Sequence, residues 1–109
     1  MGEDAGARTA WCWGETSLGY ILSRQGKLDE AIAHLQQAIT LAETIPDHIF
    51  RMYAGADLGW CYLRQGDFNR ACSEFEACLR VRNEHQILDV PGYLTILNNL
   101  AETCLYAAT

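Results

Sequence analysis

Apolar residues recur along this chain at spacings of three, four and seven, the signature of helix faces, and no stretch alternates with a period of two. The clearest stripe is Leu28, Ala31, Ile32, Leu35, Ala38, Ile39 and Ala42, with Asp29, Glu30, Gln36, Gln37 and Glu43 on the other side. A second is Phe68, Ala71, Cys72, Phe75, Cys78, Leu79 and Val81. Before each stands a longer segment. Ala7, Ala10, Trp11, Leu18, Ile21 and Leu22 mark a helix from Asp4 or Ala5 to about Gln25. Ile49, Met52, Tyr53, Ala56, Leu58, Trp60, Cys61 and Tyr62 mark one ending near Gln65. A last stripe, Leu94, Leu97, Leu100, Ala101, Cys104 and Leu105, runs toward the end of the chain. The pattern predicts five helices, near 5–25, 28–44, 47–65, 68–82 and 90–107.

The boundaries carry their own signals. Gly26 and Gly66 stand where a helix ends in a left-handed cap. Asp29 and Glu30 suit the positive end of the second helix. Pro46 closes that helix, because the residue before a proline is pushed out of the helical region, and it suits the first turn of the next with Asp47 beside it. Residues 83–90 read as the longest loop, with Asp89 capping the fifth helix and Pro91 in its first turn.

The stretch 18–40 is repeated forty positions later. Leu18, Gly19, Arg24, Gln25, Gly26 and Ala31 return as Leu58, Gly59, Arg64, Gln65, Gly66 and Ala71. Tyr20, Leu28, Leu35, Ala38 and Ile39 keep their character as Trp60, Phe68, Phe75, Cys78 and Leu79. Self-similarity at such a period marks a repeat architecture. Glycine inside a helix costs about 1 kcal/mol against alanine, so Gly19 and Gly59 call for a packing reason. Gly55 and Gly59, four apart, point to close approach of a neighbouring helix.

Composition narrows the functional classes. The 109 residues suit one small domain, and half of them are hydrophobic, enough for a core. A net charge of -6 with both signs interleaved argues against direct binding to nucleic acid or an anionic membrane. No apolar run approaches the roughly 18 residues of a spanning helix. The polar opening, Met1 to Arg8, is unlike a secretory leader, which makes the cytoplasm the expected location. Cys12, Cys61, Cys72, Cys78 and Cys104 are odd in number and lack a Cys-x-x-Cys pair, so they read as reduced core residues rather than disulfides or zinc ligands. His34, His48 and His85 are far apart in sequence and out of metal spacing, and His34 falls on a polar helix side. No glycine-rich phosphate cradle follows a strand. These residues point to no catalytic group, metal or cofactor, and hence to a binding module rather than an enzyme.

Paired helices with Leu18-Gly19, Leu22, Ala31, Leu35 and Ala38, then Leu58-Gly59, Tyr62, Ala71, Phe75 and Cys78, resemble the tetratricopeptide repeat. Leu100-Ala101 and Cys104 open a third unit. The resemblance implies an all-α superhelix of antiparallel hairpins, two and a half repeats in five helices, with units near 5–45, 46–83 and 90–109 and a place in a longer array. It departs from the family pattern at Glu15 and Gly55, where a large apolar residue is usual. Its period is 40 and then 42, against the usual 34 or so. Longer units of this kind are similar to helical repeats attached to bacterial signalling ATPases, transcription activators and nucleotide cyclases. The resemblance therefore implies a protein- or peptide-binding scaffold serving as a regulatory module. Alternatives are a self-association module and a small-ligand sensor.

If the family's groove positions carry over, they fall on Trp13, Thr16, Ser17, Tyr20 and Arg24, on Tyr53, Ala56, Asp57, Trp60 and Arg64, and on Asn98, Asn99 and Glu102. Aromatics edged by arginines suit a peptide-binding face; the same rings also suit space-filling between hairpins. The family's clamp for acidic tails needs Lys and Asn at set positions, and Thr16 and Tyr20 stand at the first of them. Leu97, Leu100 and Leu105 lack a following helix to cover them and are expected to mediate self-association.

Overall fold

The computed structural model describes residues 5–108. Among them are five helices and no strand: α1 (Ala5–Arg24), α2 (Leu28–Ala42), α3 (Ile49–Gln65), α4 (Phe68–His85) and α5 (Val90–Ala108). Asp4, the alternative start of α1, lies outside the described residues. Consecutive helices pack on one another, α1 also touches α3 and α3 touches α5, so α1, α3 and α5 form one layer and α2 and α4 the other. The body is elongated, 54 × 31 × 20 Å, as stacked hairpins are.

The repeated sequence produces repeated geometry. Gly26 and Gly66 adopt φ 82° and 81°, left-handed values that favour glycine. Behind them the Lys27 N–H donates to the Leu22 carbonyl at 3.0 Å and the Asp67 N–H to Tyr62 at 2.9 Å. One turn is thus used twice. It differs in its capping chemistry: Asp67 Oδ1 accepts from the Arg70 N–H at 3.2 Å, whereas Lys27, with nearly the same backbone angles, has no side-chain cap. The in-helix glycines are explained by close packing. A Cβ on Gly19 would lie 2.5 Å from Leu35 Cγ, and one on Gly59 would lie 2.6 Å from the Phe75 ring. Gly55 likewise makes room for Cys78. Phe75, Leu35, Met52, Ala31, Ala71 and Cys78 fill the seam between layers. A smaller cluster of Cys12, Ala38, Ala42, Ile45 and Ala54 closes the space beside it.

Three boundaries differ from expectation. Helix α2 ends at Ala42, two residues early, and buried Ile45 anchors the following turn. Helix α3 starts at Ile49 rather than near Asp47, because Asp47 Oδ1 accepts from the Ile49 N–H and holds a turn. Helix α4 continues to His85 and stops with Gln86 at φ 52°, leaving only residues 86–89 as a loop. Asp89 caps α5 as expected, accepting from the Gly92 N–H at 3.2 Å.

Two helices present a different face to the core than their apolar stripes suggest. Along α1 the buried residues are Cys12, Thr16, Gly19 and Ser23, while Trp11, Leu18 and Ile21 are exposed. Small residues let α2 approach, and the hydroxyls bond within their own helix: Thr16 to the Cys12 carbonyl at 2.8 Å, Ser23 to Tyr20 at 2.6 Å. Along α5 the inward residues are Ile96 and Thr103, with half-buried Leu100 between. Leu100 is therefore part of the core and not of an open stripe. Leu94 and Leu105 are exposed, Leu97 half-buried, and Cys104 faces outward rather than into the core.

Candidate functional site

The layer of α1, α3 and α5 encloses a cavity of about 480 Å³, the size of small-ligand and side-chain pockets. Trp13, Thr16, Ser17, Tyr20 and Ile21 come from α1, spaced so that they share one side of it. Met52, Tyr53, Ala56 and Asp57 come from α3, and Gly92, Thr95 and Ile96 from α5. The walls are mostly rings and aliphatic groups. Trp13 is half exposed and meets Phe50 and Tyr53 edge-on, with centroids 6.0 and 6.4 Å apart. The Tyr53 hydroxyl donates to Asp89, which fixes its ring; that bond, with burial, pushes the phenol up to about 12.

Asp57 is the one charged side chain lining this cavity among the described residues. Burial raises its carboxyl from the ordinary 3.8 to about 6, although nearby Arg24 pulls in the other direction.

A second cluster adjoins the first. The Arg24 guanidinium lies over the Trp60 ring at 3.8 Å and the Tyr20 ring at 4.4 Å. Arg64 approaches the same Trp60 ring at 5.0 Å and donates to Glu102 on α5 at 2.9 Å. Of the positions named from sequence, Trp13, Thr16, Ser17, Tyr20, Tyr53, Ala56 and Asp57 meet at the cavity, and Arg24, Trp60, Arg64 and Glu102 meet beside it. Asn98 and Asn99 belong to neither. Thr95, absent from that selection, corresponds to Tyr53 and Trp13 at the chain's own intervals of 42 and 40. That register was a legible signal for it. Gly92 and Ile96 had none, because they border the cavity only through the way α5 docks.

The candidate chemistry elsewhere resolves into structural contacts. His34 is not simply solvated: it pairs with Glu15 of α1 at 2.9 Å. His48 and His85 stack with centroids 3.5 Å apart, joining the start of α3 to the end of α4. Cys12, Cys61 and Cys78 are free and buried, and burial raises each thiol, to about 11 for Cys61 and about 12 for Cys78, which leaves them protonated and unreactive near neutrality. Among the described residues no group of three His, Cys, Asp or Glu side chains is placed to hold a metal ion, and no helix is long and apolar enough to cross a membrane.

No curated protein and no solved structure matches the chain. The family model described as tetratricopeptide repeat matches residues 8–84, the span of α1 to α4 that holds both full copies of the repeat. Hairpins of antiparallel helices, glycine turns in identical geometry and a matching family model agree, and the chain belongs to the tetratricopeptide repeat family, a non-catalytic scaffold fold that generally mediates protein–protein interaction.

Proposed function

We propose that this chain docks an extended segment of a partner protein along the layer of α1, α3 and α5. The observation that carries the reading is convergence: side chains from three successive first helices line one ring-walled cavity. Trp13 is 51% exposed and Tyr20 47%, so both present aromatic surface at the mouth. Aromatic and arginine side chains dominate interface energetics, and Arg24, Trp60 and Arg64 extend the surface beyond the cavity. Units near 5–45, 46–83 and 90–109 divide the work, each giving its first helix to the face. The 40-residue period supports a regulatory module of a larger bacterial signalling or transcription protein. Free, buried thiols suit a cytoplasmic setting.

Selection of binders from a random peptide library tests this. Bound peptides should perturb the amide resonances of Trp13, Ser17, Asp57 and Thr95. Trp13→Ala and Tyr20→Ala should each weaken binding by about 2 kcal/mol, the scale of an interface hot spot, with the helical signal intact. Binders that map to α2 and α4 instead would overturn it.

Self-association through α5 is a second reading, favoured by its outer side. Leu105 is 70% exposed and Leu94 52%, with Tyr106 beside them. A two-fold pairing of this helix with a second copy would cover that row.

A further inference from the structure

We propose that the cavity between α1, α3 and α5 receives the cationic end of a lysine or arginine side chain from a docked peptide, with Asp57 as its counter-ion. The inference rests on the docking reading above and names the chemistry of the occupant.

The first ground is an unpartnered carboxylate. Asp57 is half-buried at the cavity wall and makes no hydrogen bond or ion pair among the described residues. A desolvated carboxylate without a partner is unfavourable, and an incoming cation relieves that. Arg24 acts on it only at longer range, being held over Tyr20 and Trp60.

The second ground is the walls. Rings attract cations to their faces, and Trp13, Tyr20 and Tyr53 line the same cavity as the carboxylate. The neighbouring cluster shows the same chemistry at work, since Tyr20 and Trp60 hold a guanidinium already.

The third ground disfavours the opposite charge. An anion needs donors, and three of the five hydroxyl side chains lining the cavity donate elsewhere: Thr16 to the Cys12 carbonyl, Thr95 to the Pro91 carbonyl and Tyr53 to Asp89, which leaves Ser17 and Tyr20 beside a carboxylate that would repel an anion. The overall charge of -6 also draws a basic partner rather than an acidic one.

The test uses four pools of capped peptides with identical randomised apolar flanks and a fixed central lysine, arginine, norleucine or glutamate. Each is titrated into the isotopically labelled chain, following the amides of Ser17, Asp57 and Thr95 and the Trp13 indole. The lysine and arginine pools should bind about tenfold or more tightly than norleucine, the scale of a buried charge pair, and glutamate most weakly. Asp57→Asn should abolish the difference between lysine and norleucine. Arg24→Gln should enlarge it, because a competing positive charge is gone. Equal binding of all four pools at the cavity overturns the cation assignment and leaves the docking reading standing. Absence of any shift at the cavity overturns both. The pool comparison on the unaltered chain decides the matter even where a variant fails to fold.

Discussion

Asp57 should make the protein less stable as pH rises through the weakly acidic range, and replacing it with asparagine should remove that dependence. Its carboxyl has a folded-state value of about 6 against an ordinary 3.8. The folded state therefore holds this proton more tightly than the unfolded chain. The stability linked to it is fully present below about 3.8 and is lost as pH rises through about 6. A rise from 3.8 to about 6 corresponds to about 3 kcal/mol once the group is ionised in both states. The neighbours leave this window clear: Arg24 stays charged, and the raised thiols of Cys61 and Cys78 stay neutral. An asparagine carries its own constant cost for a half-buried amide, of order 1–3 kcal/mol if it finds no partner, but that cost does not change with pH. The diagnostic quantity is therefore the difference in unfolding free energy between Asp57→Asn and the parent. Urea unfolding followed by circular dichroism should show it moving in favour of the variant by about 3 kcal/mol between about pH 4 and about pH 8. A difference that stays flat would mean Asp57 is solvated when ionised. A difference of opposite slope would mean that attraction to Arg24 outweighs burial. Either result refutes the reasoning.

Gly59→Ala forces a methyl against the Phe75 ring and should destabilise by about 1–2 kcal/mol, overpacking outweighing the helix preference for alanine. Combined with Phe75→Leu in a double-mutant cycle its cost should shrink, and strict additivity would argue against the contact. Lys27→Asp copies the cap that Asp67 already supplies at the equivalent turn and should stabilise by about 0.5–1 kcal/mol in thermal unfolding; no gain would show that Asp29 and Glu30 already satisfy that helix end. Leu94→Glu with Leu105→Glu, both at exposed positions, should convert a concentration-dependent dimer to monomer in sedimentation while helicity persists, and a parent chain that is monomeric throughout counts against pairing through α5.

Much of the architecture was legible residue by residue. The stripes of α2 and α4, the glycine turns and the Asp89 cap each depend on local backbone chemistry, so the amino-acid string determined them. Gly19 and Gly59 advertised close packing because a helix interior gives glycine no other advantage. The repeat's own 40- and 42-residue intervals also relate three cavity-lining positions, Trp13, Tyr53 and Thr95.

What the string left open was phase. A helical period says that some face is buried, but the neighbouring helix selects which one. In α1 the partner α2 packed on Cys12, Thr16, Gly19 and Ser23, because small side chains permit close approach and two of the hydroxyls are satisfied within the helix. The larger Trp11, Leu18 and Ile21 were left outside. In α5 the same choice turned Ile96, Leu100 and Thr103 inward and Leu105 outward. The long-range meetings depended on that docking too: Arg24 on Trp60, His48 on His85, and Asp57 half-buried in a cavity lined from three helices. Periodicity is a property of one segment, whereas burial is a property of two surfaces in contact. Only the tertiary structure brings the second surface.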